Sequence, residues 1–367
     1  MQLPSYFSTF LDEIRLTDNQ KSNAQTGHKT LRDRLLEDEE ISPLIVGTFL
    51  QGSYKRSTAV RPSGDKRADV DVVVVTKLSD EEYDPKDIVP IFEKFLDQYY
   101  KGKWELQGRS FGIGLTYVDL DLVVTAAPSE TEIGIYKSAE VLDEKTLEES
   151  VDADVLVSFS AKTAAAWKDS PLLIPDQDQN EWDETHPLEQ IRWTQAKNAS
   201  CNLHYVNVVK ALKWWRRIKC PTPKYPKGYP VEHLIGLCCP DGITSVADGV
   251  VLTLETITLN YSGYAALGKT PFLADHGVPA HNVFGRVDGA DFASFYAQCT
   301  AAAKTARAAM DADNKHDSAK LWRELFGDKF PEAPGDGGGS VTKGSEPPSC
   351  GYTPSTGPGI IEGGRFA

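Results

Sequence analysis

The sequence predicts a two-lobed α/β protein, with a mixed sheet and its covering helices in the first half and a mainly helical second lobe. Three observations carry that reading. Short valine-rich runs bearing paired aspartates, ADVDVVVV and YVDLDLVV, lie in the first third of the chain. From His186 to about Gly327 apolar residues recur at helical spacing, as in Tyr205, Val208, Val209 and Leu212. Beyond Phe330 the composition changes: residues 331–367 hold 16 Gly or Pro and almost no large apolar side chains until the end. Such a segment cannot bury enough surface to offset its ordering entropy, so a flexible tail is expected. The expected division is residues 1–185 for the sheet lobe with N-terminal brace helices, 186–330 for the helical lobe, and 331–367 for the tail.

In chain order, Phe7, Phe10, Leu11 and Ile14 mark a first helix. Thr17 or Asp18 is placed to cap a second, with Ala24, His28, Leu31 and Leu35 inward. Pro43 ends the helical region, and Leu44 to Leu50 reads as a buried strand running into Gln51-Gly52-Ser53. In the next strand Asp69 and Asp71 share one face, and Val70, Val72 and Val74 take the other. Lys77 to Pro90 is turn-like and acidic, and a helix then carries Ile91, Phe92, Phe95 and Leu96. After Gly102 to Gly108 comes a strand-rich segment in which Asp119 and Asp121 alternate with Val118, Leu120 and Leu122. Residues 129 to about 185, including DQDQNEWDE, read as the crossing between lobes. In the second lobe the rigid turn PTPKYPKGYP separates KALKWWRR from VEHLIGLCC. Phe292 to Met310 and Leu321 to Phe326 supply late helices.

Composition narrows the function. The 40% hydrophobic and 25% charged content is ordinary for a soluble globular protein. No apolar run approaches the ~20 residues that a membrane span needs. The N-terminal MQLPSYFSTFLDEIR lacks a basic region followed by an apolar core, so a cytoplasmic location and no membrane partner are expected. Six irregularly spaced cysteines fit free thiols. The net charge of −14 argues against a protein that tracks long nucleic acid, where phosphate neutralisation supplies much of the affinity. It favours small, metal-chelated nucleotides, with no obligatory nucleic acid.

Two carboxylates on one face of an apolar strand repel each other, and a divalent cation between them relieves that. Mg²⁺ takes hard oxygen ligands of this kind. The Gly52-Ser53 turn offers backbone N–H groups and a small hydroxyl to phosphate oxygens. A third carboxylate on the second acidic strand, Asp119 or Asp121, would complete a two-metal site for in-line displacement with pyrophosphate leaving. Lys213 and Lys210 on one helix, and Arg56 and Arg109 nearer the turn, are candidates for phosphate charge.

Gly52-Ser53 followed by Asp69-Val70-Asp71-Val72, with Asp121 beyond, resembles the polymerase-β-like nucleotidyltransferases. The 15-residue spacer from Ser53 to Asp69 is longer than usual for them. KALKWWRR and PKGYPVEHLIG are similar to the helical lobe of oligoadenylate synthases. Through FLQGSYKRSTAVRPSGDKRADVDVVVVT, KWELQGRSFGIGLTYVDLDLV, THPLEQIRWT and KYPKGYPVEHLIG, roughly residues 1–330 and the last few residues resemble the bacterial cGAS/DncV-like nucleotidyltransferases (CD-NTases), and within them clade D. The resemblance implies a two-lobed polymerase-β-like core plus an oligoadenylate-synthase-like helical lobe. It implies synthesis of a cyclic di- or trinucleotide, adenine-rich in this clade, from ATP with or without GTP, as a second messenger in anti-phage (CBASS) defence.

The same resemblance implies that Asp69, Asp71 and Asp121 are catalytic and hold two Mg²⁺ ions, with Mn²⁺ able to substitute. It prefers Asp121 to Asp119 because the family's third acid precedes an apolar pair and then small residues. Gln51, Gly52, Ser53, Lys213 and Tyr229 would bind nucleotide. Lys210 stays the rival of Lys213, and Tyr229 between prolines equally suits a packed turn. Implied partners are a cyclic-nucleotide-sensing effector, acting through the product, and a regulatory protein of HORMA type or of ubiquitin-transfer-like type, the last of these joining the C-terminal Phe366-Ala367 to other molecules. His233, Cys238 and Cys239 invite comparison with the zinc loop of animal cyclic GMP-AMP synthase, but a fourth ligand is missing and the cysteines continue an apolar face. Ser262, Asp275 and His276 lack the strained nucleophile turn of a hydrolase. The alternative function is an RNA-tailing or toxin-type nucleotidyltransferase.

Overall fold

The sheet is mixed, and the strands at its centre run parallel. The computed structural model describes residues 1–126 and 171–333, within one compact unit spanning Met1–Pro334. The expected tail and most of the expected crossing segment lie outside the described residues.

Helices α1 (Pro4–Ile14) and α2 (Asp18–Glu37) come first. Of the two candidate caps, Thr17 is the one used. Its Oγ1 accepts from Gln20 N at 3.2 Å while the Gln20 side chain accepts from Thr17 N at 3.0 Å, a reciprocal capping box. Strand β1 (Ile45–Gln51) starts one residue later than the sequence suggests and runs on to Gln51, with Pro43 in a tight turn before it. The chain then makes the short turn α3 (Gly52–Lys55) and returns as β2 (Asp69–Thr76), antiparallel to β1, with Gln51 opposite Asp71. Helix α4 (Ile88–Tyr100) begins earlier than expected and includes Pro90. A proline is tolerated in a first turn because the N–H it lacks has no helical partner there.

Strands β3 (Trp104–Leu106), β4 (Phe111–Gly114) and β5 (Asp119–Ala126) complete the main sheet in the order β1-β2-β5-β4-β3. β5 runs parallel to β2, placing Asp119 opposite Asp69 and Asp121 opposite Asp71. One expectation needs correction here. The run around DQDQNEWDE is a hairpin rather than an irregular crossing, made of β6 (Leu172–Asp176) and β7 (Glu181–Thr185). Asp176 fixes its turn by accepting from the backbone N–H groups of Asp178 and Gln179, both at 3.0 Å. No side chain of β7 is fully buried, so the strand carries no apolar alternation to read.

The helical elements follow: α5 (Pro187–Ser200), α6 (Tyr205–Lys219), α7 (Tyr229–Cys238), α8 (Val246–Asn260), α9 (Ser262–Ala266), α10 (Gly289–Asp311) and α11 (Lys315–Phe326). Among the described residues, no helix is long and apolar enough to cross a membrane.

The two faces of β2 enter different cores. Val70, Val72 and Val74 pack with Leu31, Leu35, Phe92 and Phe95 of α2 and α4. Val73 and Val75 lie on the other face, with Phe49, Leu172, Leu188 and Ile191. Asp69 and Asp71 open that second face, ahead of its apolar part. Helix α1, beside the sheet in sequence, packs instead into the helical core: Phe7 meets Trp322 at 5.0 Å between ring centroids and Phe10 stacks on Phe326 at 4.6 Å. The two ends of the described chain are thereby joined through aromatic contacts.

Candidate active site

The site is built around the point where β1 ends. Gly52 has φ of +71°, a conformation that costs an L-residue about 1–2 kcal/mol. A Cβ there would lie 1.8 Å from Oδ2 of Asp71, so the backbone passes the carboxylate at a distance only glycine permits. The turn after it is held by its own carbonyls. Thr58 N and Ala59 N donate to Ser53 O at 2.9 and 3.0 Å, and Arg56 N donates to Gly52 O at 3.1 Å.

The parallel register of β2 and β5 gathers four aspartates at one end of the sheet. Partial desolvation, then the charges of Asp71, Asp121 and Asp119, raise the Asp69 carboxyl to about 7. Desolvation, then Asp71, Asp119 and Glu105, raise Asp121 to about 6. Burial raises Asp71, against the opposing pull of Arg56 and Lys213. Carboxylates crowded in this way carry negative charge that an added cation relieves. Asp119 differs from the other three. Arg67 donates to its Oδ1 from Nε at 2.8 Å, with the second guanidinium nitrogen at 2.6 Å. Asp119 therefore has a charge partner within the protein, while Asp121 stands directly across from Asp71.

The helical side brings further charge to the turn. Lys213, on α6, donates from Nζ to Thr58 O at 3.0 Å and to Oε2 of Glu232 at 3.4 Å. Arg56, only 4% exposed, donates from Nε to Oε1 of Glu232 at 2.7 Å and lies 5.0 Å from the centre of the Tyr229 ring. Lys213 thus reaches the loop that follows the Gly-Ser turn, and Lys210 is buried on the same helix. Tyr229 opens α7 and joins the turn through Arg56, with its hydroxyl 3.4 Å from His233 Nδ1. Arg109 is committed elsewhere, to Asp176 at 2.8 Å and Asp183 at 2.6 Å on the β6–β7 hairpin.

Glu232 and Thr58 did not stand out in the sequence. The available signal was a lone carboxylate on the apolar helix VEHLIGLCC, a position that requires buried partners. The remaining motifs are structural. Cys238 and Cys239 are buried free thiols, and the His233 ring lies tilted against that of His276 at 4.2 Å between centroids. His276 stacks in turn on Trp193 at 3.8 Å, Asp275 caps the turn at Gly277 N at 2.8 Å, and Ser262 Oγ bonds Leu259 O at 3.5 Å.

The donor set of Asp69, Asp71 and Asp121 is all carboxylate oxygen, which suits Mg²⁺ or Mn²⁺ and not a thiolate-seeking ion. Among the described residues no three carboxylate, imidazole or thiol groups converge in metal-binding geometry. Fit to a hard cation therefore rests on donor chemistry and on the crowding of the carboxylates, which adds to desolvation in raising Asp69 and Asp121.

Comparison with known proteins bears on the family and the fold. A family model described as the Second Messenger Oligonucleotide or Dinucleotide Synthetase domain matches residues 1–140. A cyclic AMP-AMP-GMP synthase of Enterobacter hormaechei subsp. hoffmannii is 46% identical over 388 residues, covering 100% of both chains. A cyclic AMP-AMP-AMP synthase of an Acinetobacter species is 29% identical, covering 91% of this chain and 87% of the relative. In structure, the Bradyrhizobium diazoefficiens CD-NTase CdnG, solved in complex with GTP, superposes with a TM-score of 0.65 at 13% identity. That match covers 89% of this chain and 96% of CdnG, and it speaks to the fold.

Proposed function

This chain belongs to the bacterial CD-NTases, cyclic oligonucleotide synthases of the nucleotidyltransferase superfamily, and from that premise we propose that it joins two ATP and one GTP into a cyclic trinucleotide. The full-length 46% identity to a cyclic AMP-AMP-GMP synthase supports that choice of bases. The observation that carries the site assignment is the register that sets Asp71 beside Asp121, next to the close approach of Gly52.

In this reading Gln51, Gly52 and Ser53 seat the donor triphosphate, Lys213 supplies positive charge to it, and Tyr229 lies beside the nucleotide. Asp69, Asp71 and Asp121 would hold two Mg²⁺ ions, with Mn²⁺ able to replace them. When bound, the ions offset phosphate charge in an in-line displacement. A ribose hydroxyl of the acceptor attacks the donor α-phosphate, its proton passes to Asp121, and pyrophosphate leaves. Three such displacements, the last closing the ring, release three pyrophosphates.

The product acts as a second messenger on an effector in anti-phage defence, in the cytoplasm. A ubiquitin-transfer-like or HORMA-type partner regulates the synthase. RNA tailing is the competing reaction, and the net charge of −14 argues against a polymeric acceptor. Labelled ATP with unlabelled GTP, incubated with and without RNA, separates the two. A synthase forms a phosphatase-resistant small product without RNA, whereas label appearing only in RNA would refute the proposal.

A further inference from the structure

The buried cluster behind the Gly-Ser turn sets two cations against one carboxylate. Glu232 is 2% exposed and receives Arg56 Nε and Thr58 Oγ1, both at 2.7 Å, with Lys213 Nζ at 3.4 Å. Burial works to raise its carboxyl, but Arg56, Lys213 and the hydrogen bonds from Arg56 and Thr58 outweigh this and hold it down at about 2. Glu232 is therefore ionised under any working condition. Both cations also feel Asp71, whose carboxyl they stabilise. Their hydrogen bonds nevertheless go to Glu232 and to Thr58 O.

We propose that Glu232 is a positioning residue of the donor triphosphate site, drawing Arg56 and Lys213 away from Asp71 and fixing them behind the Gly52-Ser53 turn. The inference rests on the proposed function. Glu232 and Asp71 together balance the two cations, and Glu232 holds their side chains so that the remaining N–H donors face the incoming triphosphate. An ammonium has three N–H donors. Thr58 O and Glu232 orient two of those on Lys213, and the third serves a phosphate oxygen. Without Glu232 the same cations turn to Asp71 and close the site against itself.

The test is binding rather than turnover, using α,β-methylene-ATP with Mg²⁺ and calorimetry. Glu232→Gln is expected to weaken binding at least tenfold, and Glu232→Asp, which keeps the charge on a shorter stem, by less. Lys213→Met also weakens binding, and the Lys213→Met/Glu232→Gln double variant loses less than the product of the two single losses, because Glu232 acts in part through Lys213. Melting curves accompany each variant. Should Glu232→Gln not fold, Arg56→Gln/Glu232→Gln removes one charge of each sign and carries the same expected loss. Wild-type affinity in the Glu232 variants, or losses that multiply in the double variant, would overturn the inference. A wild-type protein that binds no triphosphate analogue would instead overturn the function beneath it.

Discussion

Replacing Asp69 and Asp71 together by Asn is expected to lower product formation by at least about a thousandfold, the loss of several kcal/mol of charge stabilisation in the displacement. The fold should survive, and the variant should be the more stable protein above neutral pH. Desolvation and the neighbouring carboxylates raise Asp69 from 3.8 in the free group to about 7, an effect that water screens in part because the residue is exposed. The folded state therefore binds the extra proton between these values. Wild-type stability falls as pH rises from about 4 to about 7, and the loss is complete above that. The variant lacks both groups and escapes the penalty. Thermal unfolding at pH 8 without divalent ions should show it melting higher than wild type, with the difference gone near pH 4. Added Mg²⁺ should raise the wild-type midpoint and leave the variant unmoved. Equal Mg²⁺ shifts in both proteins would remove these residues from the metal site.

Gly52→Ala is expected to cost about a hundredfold or more in turnover, because a methyl group 1.8 Å from Oδ2 of Asp71 must push the carboxylate away or open the turn. Backbone strain alone does not explain such a loss, and Gly102 provides the control. Its φ is +70°, close to the +71° of Gly52, but nothing lies within 4 Å of a Cβ added there. Gly102→Ala should lose about 1–2 kcal/mol of stability with turnover intact. Steady-state kinetics and denaturant unfolding of the two variants separate contact from strain. Comparable activity losses in both would mean that the approach of Gly52 to Asp71 is incidental.

The paired aspartates were legible because a strand has a side-chain period of two, and acids alternating with buried valines leave a plain pattern. That same period cannot separate Asp119 from Asp121, which share a face. What distinguishes them is three-dimensional: the register opposite Asp71, and the Arg67 guanidinium held on Asp119. Glu232 was not legible because its partner Arg56 lies 176 positions away, beyond any local spacing rule. The β6–β7 hairpin was missed because its turn is held by Asp176 and its outer strand is half-exposed and acidic, so neither apolar alternation nor a Gly-rich turn marks it. The placement of α1 depended on aromatic packing against Trp322 and Phe326, about 315 residues on in sequence; its own periodicity shows a buried face and not which core receives it.

The central claim is that carboxylates on two parallel strands, a glycine-tight turn and a helical-lobe lysine together make a nucleotide-joining site whose acceptor is another nucleotide. The most direct measurement incubates the purified chain with all four nucleoside triphosphates and Mg²⁺, treats the mixture with phosphatase, and reads the product by mass spectrometry and linkage-specific nuclease digestion. A phosphatase-resistant cyclic trinucleotide of two adenylates and one guanylate is the predicted result; linear oligonucleotides, or no joined nucleotide with either Mg²⁺ or Mn²⁺, would contradict it.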